Sequence, residues 1–483
     1  MKVLSVASEL FPLIKTGGLA DVAGALPLAL AERGISVTSL VPGYPQVMKV
    51  LEPENPSKVA GFSNLLGEKA DILSASHKGL DLLILDAPAL FDRPGGPYVD
   101  TSGSDYADNW KRYAAFSKAA AEIALGRFAG YRADIVHAHD WQAAMTLAYL
   151  RYSGRAAPPG VMTIHNLAFQ GRFPASIFAS MELPASAYSL DGVEYYHGVG
   201  FLKAGLQAAD AITTVSPAYA QEIRTPEFGM GLEGLLNARA ADLHGIVNGI
   251  DTAYWNPASD IHLTSTYTPR MLQRRALNRQ VVEERFALDQ DASPLFCIIS
   301  RLTWQKGMDV MSECIDSIVE KGARVAILGS GDKAIETTIH AAAKRHEGRA
   351  AVVTGYDEPL SHLLQGGSDA ILIPSRFEPC GLTQLCGLRY GCIPVVARTG
   401  GLADTLIDAN EAALMAGVAT GIQFAPLTAD ALLHAVSRTI DIHRDKKAWA
   451  TMQRNGMRAD VSWSASATRY ASLFQSLLSG SRH

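Results

Sequence analysis

What most constrains this chain is an alternation kept up from end to end. Short, near-continuous apolar runs are separated by amphipathic stretches. KVLSVASE, ISVTSLVP, LDLLILDA, DIVHAHD, GVMTIHN, DAITTVS and LHGIVNG read as strands in the first half, and PLFCIISR, ARVAILGSG, AAVVTGY, DAILIPS and CIPVVAR in the second. Helical patterns at 20–33, 108–126 and 140–152 lie between them. A strand rich in Val, Ile and Leu along its whole length is buried on both faces, and a parallel sheet covered by helices provides that burial. The pattern breaks near 248–270, where NGIDTAYWNPASD and HLTSTYTPR gain turn residues, so a linker is expected there. The fold class is α/β, with two doubly wound, Rossmann-like domains, 1–248 and 249–459, and a last helical segment over 460–483. Sheets of this kind bind ligands at the carboxyl ends of their strands, which places the ligand in a cleft between the two halves.

Composition narrows the partners. Across 483 residues, 43 basic side chains face 48 acidic ones without a dense basic block, which excludes a nucleic-acid backbone as the main partner. No stretch reaches the roughly 20 apolar residues of a membrane span, so no membrane partner is expected. The opening MKVLSVASEL lacks the form of a secretory leader. Five cysteines, odd in number and without a CxxC pair, suit a reducing cytoplasm. Cys380, Cys386 and Cys392 recur every six residues, which reads as packing. His137 and His139 share one face of a strand, but no third ligand is identifiable, and no metal is expected.

The hexapeptide TGGLAD occurs twice, in KTGGLADV at 15–22 and RTGGLADT at 398–405. Gly17 and Gly18 follow the first strand and open a helix. Glycine lets the backbone approach a ligand closely, and a helix start offers free N–H groups. Lys15 adds a mobile cation and Asp21 an acceptor. A lone GG turn is more often only a strand-to-helix connection, but the cation and the matching loop in the other half favour a ligand role. Neither copy is a GxGxxG or Walker loop, so standard dinucleotide and P-loop chemistry is disfavoured.

KTGGLADV, HAHDWQ, TIHNLAFQG, TTVSP, VNGID, SRLTWQKGMD, PSRFEPCGLTQL and TGGLADT together resemble the bacterial glycogen synthases and plant starch synthases, in order and over about 400 residues. That resemblance implies the GT-B fold and transfer of glucose from a nucleotide-glucose, expected to be ADP-glucose, to the non-reducing end of an α-1,4-glucan with retention of configuration. The implied partners are therefore the nucleotide-sugar donor and the glucan (glycogen) acceptor, with no cofactor. It also implies that the last segment packs back on the first domain.

Glucosyl transfer builds negative charge on a departing diphosphate and positive charge on the sugar, so cations and N–H donors belong at the phosphates. Arg301 and Lys306, five residues apart after one strand, suit that role, although spacing alone reads as readily as a solvated basic loop; the resemblance makes them ligands of the leaving phosphate. Cys380, Gly381, Leu382 and Thr383 form a turn into a helix whose N–H groups suit the distal phosphate. Glu378 in the same motif matches the family glutamate that reaches the transferred glucose. Eight residues on, where many retaining GT-B enzymes carry a glutamate tied to the ribose, this chain has Cys386, so ribose recognition is not carried over and Asp21 is the weaker candidate for the nucleotide. His165 matches a residue beside the glucose, Asp140 an active-site carboxylate, and Asn248 suits a sugar hydroxyl. Tyr356, after a strand, is a candidate to stack on the base, with turn packing the alternative.

The inferred mechanism is front-face substitution. Double displacement through Asp140 or Glu378 stays open at this level. The glycine-bearing TPEFGMGLEGLL is expected to move with closure. The two TGGLAD loops are expected on opposite walls of the cleft, the first serving phosphate and incoming glucan, the second framing the donor. Rival readings are a UDP-glucose or other-acceptor transferase and a silent glucan-binding module. A glucan phosphorylase would need a pyridoxal phosphate lysine motif that is not found.

Overall fold

The computed structural model describes residues 1–128 and 131–480. The chain divides into two compact units, one made of Met1–Asn248 with the segment from Trp463 onward, the other Gly249–Ser462.

The first unit is built on a nine-stranded sheet. Its strands β1 (Lys2–Val6), β2 (Ser36–Pro42), β5 (Leu80–Asp86), β6 (Ile135–His139), β7 (Gly160–Ile164), β11 (Ala211–Thr214) and β12 (Leu243–Gly245) run parallel, and β3 (Ser57–Leu65) and β4 (Glu68–His77) add an antiparallel edge. The order is β12-β11-β7-β6-β1-β2-β5-β4-β3. Every residue of β6, β7 and β11 is buried, as continuous apolar strands between helices require. The β3–β4 hairpin is not among the strands expected from the sequence. β3 is largely exposed, β4 mostly half-buried, and polar residues interrupt both, so no continuous apolar run announces them. Strands β8 (Arg172–Pro174), β9 (Glu194–Tyr195) and β10 (Gly198–Gly200) form a small separate sheet.

The helix Trp463–Ser479 belongs to this first unit. Its Trp463, Tyr470 and Phe474 share an apolar cluster with Val22, Leu26 and Leu30 of the first helix, Gly18–Ala31. Arg33 fastens the pair by donating to Ser464 O and Thr468 Oγ1, each at 2.6 Å. Phe474 is fully buried, and truncation to Ala would cost about 3–5 kcal/mol. The expected helical segment 460–483 thus starts at Trp463, and its last three residues lie outside the described ones.

The second unit carries six parallel strands, β13 (Leu295–Ile299), β14 (Arg324–Gly329), β15 (Ala350–Thr354), β16 (Ala370–Ile373), β17 (Ile393–Ala397) and β18 (Ile422–Phe424). Their order β15-β14-β13-β16-β17-β18 is the doubly wound 3-2-1-4-5-6 arrangement. The unit boundary falls inside the stretch 248–270 expected to be a linker, between Asn248 and Gly249, but residues 249–270 are built into the second unit. Trp255 stacks on buried His362 at 3.8 Å between ring centroids, Asp260 pairs with the same imidazole at 2.7 Å, and buried Tyr267 donates to Tyr390 O. Loss of apolar periodicity there marks an irregular packed segment, held by aromatic and polar contacts that periodicity does not register.

Candidate active site

In a doubly wound sheet, ligand-facing groups collect where neighbouring strands lead their connections in opposite directions. In the first unit that point lies between β1 and β6, and in the second between β13 and β16. The sequence candidates concentrate on the loops leaving these strands.

After β1 the chain runs through Glu9 to the Lys15 loop. Glu9 is almost wholly buried and acts only as an acceptor. It takes the backbone N–H groups of Thr16 and Gly17, the Thr16 hydroxyl at 2.6 Å and the Tyr98 hydroxyl. This one carboxylate therefore shapes the turn that carries Gly17 and Gly18. Lys15 pairs with Asp21 at 2.7 Å on a part-exposed surface. Asp21, expected to hold the nucleotide, is thus the counter-ion of the loop lysine here. Side chains added at Gly17 or Gly18 would meet nothing within 4 Å, so glycine there leaves open space above the helix start.

After β6, Asp140 sits in the left-handed region at φ 54° and opens the helix Asp140–Arg151. A non-glycine residue there is strained and is held by its surroundings. Its carboxylate accepts the backbone N–H of His165 at 2.7 Å and that of Asn166. Burial pushes its carboxyl up to about 7, against the pull of those two amides. Asp140 and His165 are therefore brought together, with Asp140 bracing the end of β7. Asn248 is buried, and its Oδ1 has no hydrogen-bond partner among the described residues, as expected of a group kept for a ligand or water.

In the second unit, Lys306 Nζ lies 2.5 Å from Glu378 Oε2, which also accepts the Ser375 hydroxyl at 2.9 Å. Arg301 is exposed and its guanidinium has no hydrogen-bond or ionic partner among the described residues. One paired and one unpaired cation leave net positive charge at the switch point. The two loops interlock, since a Cβ at Gly307 (φ 68°) would stand 1.8 Å from Pro374 O. Cys380 is buried, Gly381 is left-handed at φ 70°, and Leu382 caps the helix Thr383–Tyr390 without a side-chain bond to its first N–H groups. Tyr356 stands on the loop leaving β15, 80% exposed, with its hydroxyl and that of Tyr254 both donating to Glu358. An exposed ring anchored through its hydroxyl is fit for stacking.

The second TGGLAD copy lies beneath this site. Gly401 N–H donates to Glu378 O at 3.1 Å, and side chains at Gly400 and Gly401 would stand 2.1 Å from the carbonyl oxygens of Glu378 and Cys380. Residues missed from sequence are Glu9, Tyr98 and Ser375. Glu9 had a signal, an acid embedded in the apolar stretch SVASELF; Tyr98, 89 residues away, had none.

A family model described as Starch synthase catalytic domain matches residues 2–238, and one described as Glycosyl transferases group 1 matches residues 282–455. The chain is 64% identical to a glycogen synthase of Mesorhizobium japonicum and 60% identical to one of Rhizobium rhizogenes, each over 99% of both chains. The chain belongs to the glycogen synthase and starch synthase family. The catalytic domain of starch synthase IV from Arabidopsis thaliana, solved with ADP and acarbose, matches with a TM-score of 0.87 at 30% identity over 99% of both chains. A sucrose-phosphate synthase from Thermosynechococcus elongatus shares the fold at 16% identity and a TM-score of 0.58. The GT-B fold and glycosyltransferase class follow. Cys386 is buried in an apolar cluster with Ile250, Leu388, Val396 and Leu402. No helix among the described residues is long and apolar enough to cross a membrane.

Proposed function

We propose that this glycogen synthase family enzyme transfers glucose from ADP-glucose to the non-reducing end of an α-1,4-glucan and retains the anomeric configuration. The observation that carries the reading is the Lys306–Glu378–Ser375 cluster beside the unpaired Arg301. It offers cations to a leaving diphosphate and a carboxylate to the sugar. The ADP and acarbose held by the Arabidopsis starch synthase support an adenine nucleotide donor and a glucan-like acceptor. Arg301 and Lys306 take the diphosphate, aided by the N–H groups at Gly381, Leu382 and Thr383. Lys15 with the open Gly17–Gly18 turn supplies a further phosphate contact. Glu378, His165 and Asn248 address the glucose, and Tyr356 the base. With these cations at the phosphates the reaction needs no metal, and its rate should be unchanged in EDTA.

Asp140 is committed to two amides and Glu378 to Lys306 and Ser375, so neither carboxylate is a free nucleophile. Front-face substitution fits that arrangement. The acceptor oxygen bonds the anomeric carbon as the carbon–phosphate oxygen bond breaks, and the hydroxyl proton passes to the departing phosphate. The deciding experiment feeds labelled ADP-glucose or UDP-glucose with glycogen to the protein and to Glu378→Ala and Lys306→Ala. Incorporation from ADP-glucose, lost by about 100-fold or more in both variants with glucan binding kept, is expected. A preference for UDP-glucose overturns the donor, full turnover in both variants overturns the site, and glucan binding without transfer from either donor points to a silent binding module.

A further inference from the structure

Behind His165 lies a hydrogen-bonded chain that the mechanism above does not use. His165 Nε2 meets His139 Nδ1 at 3.0 Å, and His139 Nε2 meets Ser5 Oγ at 3.2 Å. The register places these groups side by side: Ser5 of β1 faces His137 of β6, and His139 faces Thr163 of β7, two residues before His165. His137 packs on His139 at 4.0 Å between centroids and is tied to Thr163 at 2.6 Å. Tyr470 of the C-terminal helix covers the His137 ring.

The polarity of this chain follows from its closed end. Ser5 is buried, and His139 is the sole hydrogen-bond partner of its hydroxyl among the described residues. The space beside Ser5 and the two imidazoles, walled by Val3, Val22, Leu26 and Val37, is too small for a water molecule. A buried hydroxyl donor without an acceptor is costly. The Ser5 proton therefore points to His139 Nε2, the single proton of neutral His139 sits on Nδ1 and points to His165 Nε2, and the proton of neutral His165 sits on Nδ1. The reverse direction would set His139 Nε2–H against Ser5 and strand the Ser5 proton. His165 Nδ1 makes no hydrogen bond among the described residues and is not sealed from the surface.

We infer that Ser5 and His139 are positioning residues that lock His165 as the Nδ1–H tautomer, so that it presents a fixed donor to an oxygen of the transferred sugar. Burial keeps all three imidazoles neutral by lowering their proton affinity, His139 to about 3. The inference rests on the placement of His165 in the donor site.

Two readouts test it. Long-range proton–nitrogen-15 correlation on the wild-type protein, with signals assigned through His165→Ala and His139→Asn, should show His165 protonated at Nδ1; protonation at Nε2 overturns the inference. In kinetics, Asn at 139 can place its amide nitrogen where Nδ1 was, whereas Gln carries it one bond farther. His139→Gln should lower kcat about 10- to 100-fold with little change in donor KM, as loss of an orienting partner does, while His139→Asn restores most of it. Equal losses in both variants overturn the tautomer lock. Full turnover in His165→Ala would instead remove the site reading beneath it.

Discussion

Gly400 lies directly under the carbonyl of Glu378: a Cβ on residue 400 would stand 2.1 Å from that oxygen, and its φ of 44° is already left-handed. Gly17 and Gly18, in the same hexapeptide near the other end of the chain, have nothing within 4 Å. One motif thus needs glycine for opposite reasons, to let backbone meet backbone in the second copy and to leave room in the first.

This contrast separates two kinds of failure. Gly400→Ala should destabilise the protein by about 2–3 kcal/mol and lower turnover by shifting Glu378. Gly18→Ala should change stability by no more than about 0.5 kcal/mol yet weaken use of the donor about tenfold. Thermal unfolding beside kcat and KM checks both, and equal stability losses would mean the first loop is packed, not open.

Glu9 receives four donors and offers none, so its amide replacement turns an NH2 group toward N–H and O–H groups. Glu9→Gln should cost about 1–3 kcal/mol and raise the donor KM. Tyr98→Phe, which removes one of the four donors, should do less on both counts. Titration of ADP binding by calorimetry would show the order, and a milder Glu9→Gln would contradict it.

Asp140 acts through the amides of His165 and Asn166, so an acceptor at that position matters more than a charge. Asp140→Asn should keep kcat within about tenfold while Asp140→Ala loses about 100-fold or more. The pH sign is also fixed. The folded carboxyl titrates near 7 against 3.8 for an unperturbed one, so its contribution to stability is full at low pH and is lost as pH rises through about 7. The Asn variant should therefore gain on the wild type between those values, read by urea unfolding at a series of pH values.

The three buried histidines work in the other direction. Their folded proton affinity is depressed below the unperturbed 6.5, so the stability they confer is present above that pH and is lost as pH falls. With three such groups against the single Asp140, the wild type should lose stability steeply between about pH 6.5 and 4. His137→Leu, which cannot take up a proton, should flatten that slope in the same unfolding series.

Periodicity and motif spacing determined the two α/β sheets, because an apolar run buried on both faces leaves its mark on every residue of a strand. Arg301, Lys306, Glu378, His165 and Asp140 were marked by the family resemblance of their motifs, since spacing alone reads the first two as readily as a solvated basic loop and Glu378 as a helix cap. The β3–β4 hairpin, interrupted by polar residues, leaves no such mark, and the packing of 249–270 is invisible to periodicity because stacked aromatics and a buried Asp260–His362 pair have no period. Tertiary structure alone decided the partners: Glu9 with Tyr98, 89 residues apart, Lys306 with Glu378, 72 apart, and Ser5 with His139, 134 apart. Strand order sets these pairs, and crossovers bring together residues between which the chain itself carries no local signal. The two TGGLAD copies are alike in sequence, and only the backbone packed against the second, absent from the first, gives their glycines different work.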